Sequence, residues 1–320
     1  MENLINDNKL LHHLDRVNGD NRPITADVFL TNYCNNKCTF CTYNRWELDE
    51  NSYGMSASEF EQYARRLQEL GVQGVILTGG GEPTINKDFD QITKFLEENH
   101  IQYGINTNFN VLKYIKPAYL KVSFDGWSED SYESVRGVRA YGKVRENIKA
   151  YSEWKKVNSP DTMLGLQKVV TDPDEIGLFF GANADLDVDY IVFRPIESTD
   201  GKYFKDEKKL EEAKRCIRII DELSKIDDRV IINYKWKMIT KRFSGCLAHW
   251  AQIALDEHGN VIYCCHKPYE IVGHILDEDI MQKYREAHTN MKKCDVPCRL
   301  TAPNDLIKKI GEPMKNVAFI

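Results

Sequence analysis

A chain of 320 residues with 43 Lys and Arg against 49 Asp and Glu carries a formal net charge of -6, which argues against binding nucleic acid through a basic surface. The length suits one large α/β domain with an appendage. No window approaches the ~20 apolar residues of a membrane span, and the opening run MENLINDNKLLHHL lacks the basic start and apolar stretch of a secretory signal, so the chain is expected in the cytoplasm.

Residues 1–23 read as a lead-in with a short helix through Leu10 to Leu14. Ala26 to Thr31 is a compact strand that ends at a cysteine-bearing loop. Ser56 with Glu59 three residues on makes a capping box, and Phe60, Ala64, Leu67 and Leu70 then repeat at helical spacing until Gly71. Val75 to Thr78 is the next strand, followed by a helix from Asp88 to Asn99 that buries Phe89, Ile92 and Leu96. A strand over Tyr103 to Thr107, a short helix near Val111 to Ile115, and a strand over Leu120 to Phe124 come next. Lys143 to Val157 is helical, Met163 to Val170 a strand, Asp172-Pro173 the start of a helix running to Ala184, and Tyr190 to Phe193 a strand.

Strand and helix thus alternate about six times, which demands right-handed crossovers and a parallel sheet, open or curved into a partial barrel. The spacing predicts a core over 24–205 and a bridging helix and strand over 206–242, in which Cys216 is a buried structural thiol beside Ala213, Ile220 and Leu223. After a polar bridge around Glu197 to Lys209 and this helix, the grammar changes. Gln252 to Leu255 and Val261 to Tyr263 flank the turn Asp256-Glu257-His258-Gly259-Asn260 as a hairpin, opening a small C-terminal domain over 243–320.

In parallel α/β architectures the chemistry sits at the carboxyl ends of the strands. Those ends carry Cys34, Cys38 and Cys41, then Gly79, Gly80, Gly81 and Glu82, then Asn106, Thr107 and Asn108, then Ser123 and Asp125, then Gln167 and Arg194. Nine cysteines, seven of them grouped at short spacing, point to metal binding in a reducing compartment and not to disulfides. Three thiolates spaced C-x3-C-x2-C can hold one corner of a 4Fe-4S cube and leave the fourth iron open to chelate a substrate or cofactor. On the triplet alone, a zinc cage completed by a histidine or a fourth cysteine is the alternative. The glycine run lets backbone approach a ligand closely. Cys246 precedes the hairpin and Cys264 ends it, while Cys294 and Cys298 bracket Asp295-Val296-Pro297. Together these four thiols can ligate a second 4Fe-4S cluster, or a ribbon-like zinc site. Cys265 is left over, with His249 and His266 nearby.

The cysteine spacing, GGGEP and the run SFDGWSEDSYESVRGVRAYGKVRENI resemble the radical S-adenosylmethionine (SAM) superfamily, and the hairpin with its late cysteine pair resembles the Twitch version of the SPASM extension. The last pair is spaced more widely than that extension's usual two residues. The resemblance runs from about Ala26 to Pro303 and implies an α/β fold of the partial (β/α)6 barrel type with a small hairpin-plus-helix auxiliary-cluster domain. It further implies a SAM-binding 4Fe-4S cluster on Cys34, Cys38 and Cys41, and an auxiliary 4Fe-4S cluster on Cys246, Cys264, Cys294 and Cys298. Gly79, Gly80, Gly81 and Glu82 are expected to hold the methionine amino group of SAM, Phe40 to contact adenine, and Ser123 and Arg136 to meet ribose and carboxylate. Asn106, Thr107, Asn108, Gln167 and Arg194 are further cofactor-site candidates. Asp125 is expected to face substrate, and Cys265 either to replace Cys264 as ligand or to deliver a hydrogen atom.

The implied reaction is SAM cleavage and hydrogen abstraction from an unactivated C-H bond, fed by a flavodoxin- or ferredoxin-type donor. The short lead-in favours a small polar metabolite, sugar- or aminocyclitol-like, undergoing dehydrogenation or epimerisation. Maturation of a ribosomally made peptide is the runner-up, and a zinc-stabilised scaffold the alternative of another class.

Overall fold

The computed structural model describes residues 9–17, 19–41, 43, 54–196, 206–233, 235–239, 243–289, 291, 294, 296 and 298–311, with the side chains of 237 and 238 outside that description. Residues 197–205 of the expected Glu197 to Lys209 bridge, most of the Asp295-Val296-Pro297 turn and residues 1–8 of the lead-in therefore lie outside the described residues, while Glu207 to Lys209 already belong to the helix that follows.

Among the described residues ten strands form one sheet. Strands β1 (Thr25–Phe29), β2 (Gly74–Thr78), β3 (Gln102–Thr107), β4 (Tyr119–Ser123), β5 (Met163–Val170), β6 (Tyr190–Pro195) and β7 (Val230–Ile232) lie side by side in chain order, all parallel. The other edge of β1 is taken by β8 (Gln252–Leu255), also parallel, and the antiparallel strands β9 (Asn260–Cys264) and β10 (Lys267–His274) continue outward from it. This is the partial barrel with a C-terminal hairpin that the alternation predicts, β10 being an addition to the two expected hairpin strands.

The crossovers follow their local signals. Helix α1 (Ala57–Glu69) starts at Ser56, whose hydroxyl accepts from Glu59 N at 3.3 Å while Glu59 Oε2 accepts from Ser56 N at 2.9 Å. It buries Phe60, Tyr63, Ala64 and Leu67, each large side chain contributing about 1.5–3 kcal/mol of transfer free energy. Helices α2 (Phe89–Glu98), α3 (Glu129–Arg136), α4 (Tyr141–Asn158), α5 (Glu175–Asn183) and α6 (Glu207–Ile226) follow, then α7 (Ile280–Thr289) and α8 (Thr301–Gly311) after the hairpin. No helix among the described residues is long and apolar enough to cross a membrane.

The short helix expected near Val111 to Ile115 does not form; the segment has no regular secondary structure as it leads into Pro117. Proline disfavours the helical region for the residue before it, and the segment's polar groups find partners elsewhere. Tyr151 Oη donates to Ile115 O at 2.8 Å, and Lys116 N donates to Glu97 Oε1 at 3.1 Å.

Two glycines make room inside the barrel. Gly104 on β3 is paired with Tyr119 on β4, and Gly165 on β5 with Tyr190 on β6. A Cβ at Gly104 would meet the Tyr119 ring at 2.1 Å, and one at Gly165 the Tyr190 ring at 2.0 Å. Gly104→Val is therefore expected to destabilise the fold by about 1–3 kcal/mol through overpacking. Gly177→Ala on α5, where an added Cβ meets nothing within 4 Å, should be neutral or stabilising. Thermal melts of the two variants check the contrast, and equal stability would show that the ring yields freely.

Candidate functional site

The loop after β1 is fastened from both sides through backbone. On one side Thr31 O and Tyr33 O accept from Gly81 N (2.8 Å) and Glu82 N (2.9 Å). On the other, Arg136 O and Val135 O at the end of α3 accept from Lys37 N (2.9 Å) and Thr39 N (3.0 Å). Both seams depend on glycine. A Cβ at Gly81 would lie 1.8 Å from Tyr33 O, and Gly137, at φ 70°, ends α3 where a Cβ would lie 2.7 Å from Lys37 O.

Glu82 ties the glycine loop to the end of β3. Its Oε1 accepts from Thr84 N (3.2 Å), Thr84 Oγ1 (2.6 Å) and Thr107 Oγ1 (2.5 Å), and its Oε2 from Asn108 N (2.7 Å). Burial raises the Glu82 carboxyl above its usual range even though these hydrogen bonds pull it down. Beyond it, Asn108 Nδ2 donates to Asn35 Oδ1 and Asn110 Nδ2 to Asn36 Oδ1, both at 2.6 Å, reaching back to the cysteine loop. Phe109 turns between the two asparagines at φ 59°, left-handed backbone that a bulky residue rarely takes.

These segments enclose a cavity of about 400 Å³. Cys34, Cys38, Phe40, Cys41, Gly79, Gly80, Gly81, Glu82, Asn106, Thr107, Asn108, Ser123, Arg136, Gln167, Arg194 and Cys265 all line it, so nearly every rim residue singled out from sequence comes to one place. Cys34 Sγ accepts from Asn36 N at 3.4 Å, and Cys38 Sγ from Arg136 Nη1 at 3.3 Å. Burial first, and the Glu82 carboxylate second, push the Cys34 thiol up to about 12, so a metal must displace its proton. Arg136 also lies over the Phe40 ring, 5.6 Å from its centroid. Burial opposes its charge, but Asp125 and the Cys38 sulfur more than offset that and hold the guanidinium firmly protonated.

Asp125 departs from expectation. Its side chain is fully buried, does not line the cavity and pairs with Arg136 from behind. Its Oδ1 accepts from Val169 N at 2.6 Å, and its carbonyl accepts from Lys168 Nζ at 3.0 Å. Contact with substrate is corrected to support of Arg136, because the carboxylate has no surface left to offer.

A second cavity of about 460 Å³ adjoins the first. Cys246, Cys264, Cys265, Cys294 and Cys298 line it, with His249 and His288. Asn304 Nδ2 donates to Cys246 Sγ at 3.5 Å and Leu300 N to Cys298 Sγ at 3.3 Å. Burial pushes the Cys246 and Cys264 thiols up to about 12. At Cys298 burial acts the same way, but the hydrogen bond and charge of His266 bring that thiol below its ordinary value. Asp27, Cys265, His266 and Arg299 line both cavities.

The Radical SAM superfamily profile matches residues 28–176, the stretch that builds the first cavity's cysteine and glycine walls. These residues are a radical SAM domain.

Curated relatives are similar to part of the chain. A probable GTP 3',8-cyclase of Pyrococcus horikoshii is 31% identical over 40% of this chain and 43% of its own length. A 7,8-dihydro-6-hydroxymethylpterin dimethyltransferase of Methanocaldococcus jannaschii is 30% identical over 62% of this chain and 41% of its own. The chain thus spans less than half the length of these curated relatives. Streptococcus suis SuiB bound to precursor peptide SuiA shares the fold at a TM-score of 0.65, with 18% identity over 89% of this chain and 70% of SuiB.

The donor set of the radical SAM domain fits a 4Fe-4S group, with three soft thiols on one wall and N-H groups directed at two of the sulfurs. Among the described residues no three His, Cys, Asp or Glu side chains converge on a single ion position; both thiol sets surround a volume. Sequence reasoning missed Asp27, Tyr119, Lys121, Asn233, Lys235 and Arg299, which also line the first cavity. Asp27 and Lys121 had a signal, a charge inside an apolar strand run, because the inner face of a partial barrel is where such a charge can sit. Arg299 had none, since its partner Asp27 is 272 residues away.

Proposed function

We propose that this chain is a radical SAM enzyme that abstracts a hydrogen atom from a C-H bond of a small polar metabolite, with dehydrogenation or epimerisation as the outcome. The carrying observation is that the three thiols of one loop share a cavity with the triple glycine, Glu82, Ser123 and Arg136. Cys34, Cys38 and Cys41 would hold a 4Fe-4S group through one thiolate each. When reduced, that group supplies the electron that splits SAM and releases a deoxyadenosyl radical. The glycine loop brings backbone to the ligand, Glu82 keeps that loop registered with β3, and Arg136 holds Cys38 while Phe40 covers the guanidinium. Asn106, Gln167 and Arg194 shape the wall beyond. Supporting a small-molecule substrate, two relatives are named for reactions on GTP and on a pterin.

In the adjoining cavity, Cys246, Cys264, Cys294 and Cys298 would hold an auxiliary 4Fe-4S group. Cys264 lines only that cavity, whereas Cys265 lines both, which favours Cys264 as the ligand and Cys265 as a thiol facing substrate. A flavodoxin- or ferredoxin-type protein in the reducing cytoplasm would supply the electrons.

Anaerobically prepared protein is expected to carry about eight irons per chain and to form deoxyadenosine from SAM with dithionite. Cys246→Ala/Cys264→Ala, which leaves two thiols at the auxiliary site, should fall to about four irons. Stoichiometric zinc without iron would reject the enzyme reading in favour of a scaffold, and four irons in the unaltered protein would reject the auxiliary group alone.

A further inference from the structure

Cys246 is held through both its backbone and its sulfur. Its carbonyl accepts from His249 Nδ1 at 2.7 Å, and its sulfur accepts from Asn304 Nδ2 at 3.5 Å. Asn304 lies in the first turn of α8 and is 1% exposed. Its Oδ1 accepts from Ala248 N at 2.9 Å, so one side chain reaches from the helix both to the backbone beside Cys246 and to the sulfur itself. Further along α8, Leu306 and Ile307 pack against Trp250 and Ala251 of the same stretch. Asparagine adds little to a helix on its own account; the two groups that this amide meets give the reason for its place.

The residues just before α8 hold Cys298 in a similar way. Leu300 N donates to its sulfur at 3.3 Å, and Thr301 Oγ1 accepts from its backbone N-H at 3.1 Å. Between them Arg299 reaches across to β1, where its Nη1 donates to Asp27 Oδ1 at 3.0 Å and its Nη2 lies 2.9 Å from Oδ2. The Asp27 side chain is buried between Ala26 and Val28 on the strand, and both members of the pair line both cavities. Replacing a buried ion pair by apolar side chains of similar volume is often neutral or stabilising, so stability alone does not account for these charges. Registry does, because the pair ties the residue next to Cys298 to the barrel strand where the two cavities meet.

Resting on the reading of the second cavity as the seat of an auxiliary 4Fe-4S group, we propose that Asn304 and the Asp27–Arg299 pair are positioning residues for that group. Asn304 orients Cys246 and gives its sulfur a hydrogen bond, while Arg299, anchored on Asp27, sets the place of Cys298. Donors on the sulfurs favour the reduced, more negative form of such a group and so raise its potential. Outer partners of the ligands also govern how tightly the metal is kept. Asn304 does not line the first cavity, so its influence is confined to the auxiliary group.

The test is an EPR-monitored redox titration of the anaerobic, iron-loaded protein, with release of iron to a ferrous chelator followed in parallel. In Asn304→Leu the potential of the auxiliary group is expected to fall and its irons to leave at least about tenfold faster, while the first group keeps its potential and its release rate. A merely structural role would lower the melting temperature and leave the potential of the retained group where it was. Asp27→Leu/Arg299→Met serves as the second variant, since it is expected to melt about as high as the unaltered protein and yet to release the auxiliary irons at least about tenfold faster. An unchanged auxiliary potential in Asn304→Leu, an unchanged release rate in the double variant, or equal changes in both groups would overturn the proposal and leave the auxiliary group standing. About four irons in the unaltered protein would instead reject the auxiliary group, and this proposal with it.

Discussion

Alanine at Cys38 is expected to remove about four irons per chain and to lower deoxyadenosine formation more than about a thousandfold. Three protein thiolates are the minimum that hold a cube whose fourth iron stays open, and with two the group is not retained. Cys38 is the most telling of the three because it is buried and its sulfur already accepts from Arg136 at 3.3 Å, so its removal also unseats that guanidinium. The fold itself should survive, since the loop is held by backbone hydrogen bonds to Gly81, Glu82, Val135 and Arg136 that no cysteine side chain makes. Cys216→Ala is the control. That thiol is buried in α6 away from both cavities and should change neither iron content nor turnover. A Cys38→Ala protein that keeps full iron and full activity would remove the cysteine loop from the mechanism.

Asp125→Ala is expected to cost about 3–5 kcal/mol of stability, the largest effect of any single change away from the thiols. The substitution leaves the buried Arg136 charge without its carboxylate and Val169 N without its acceptor, both in a region closed to water. Asp125→Asn keeps an oxygen for Val169 N and should cost less. Asp125→Ala combined with Arg136→Met should be more stable than Asp125→Ala alone, because the orphaned charge is gone. Urea unfolding followed by tryptophan fluorescence reads all three. A loss below about 1 kcal/mol for Asp125→Ala would contradict the burial account, and an altered substrate KM at unchanged stability would restore this residue to the substrate contacts.

Where local signals were strong the sequence was sufficient. The Ser56 and Glu59 box and the apolar runs at β1, β2, β5 and β6 placed their elements to within a residue or two. Helix α3 went unmarked because its box is Ser128 with Ser131, without the acid or amide that advertises an N-terminus, and it spans only eight residues. Strand β10 was unmarked because it is an outer strand with largely exposed side chains and so lacks a buried face to leave a pattern. The site divides in the same way. Strand-end motifs were legible because a parallel sheet gathers them without further information, whereas Asp27 with Arg299, or Asn36 with Asn110, exist only after distant segments meet. Asp125 misled for a related reason: position along the chain marks the rim but not whether a carboxylate looks into the opening or away from it.

The parallel pairing of β8 with β1 has a bearing on how such proteins are built and rebuilt. The C-terminal cysteines are not hung on the barrel by a tether; their hairpin extends the same hydrogen-bonded ladder that carries the first cysteine loop. Cutting the chain before β8 would strip one flank of β1 and present bare N-H and C=O groups to any passing strand, an invitation to aggregate. Exchanging this region for that of a cousin is therefore a transplant into the middle of a load path, and will succeed only where the donor's strand matches the register Thr25 to Gln252 through Val28 to Leu255.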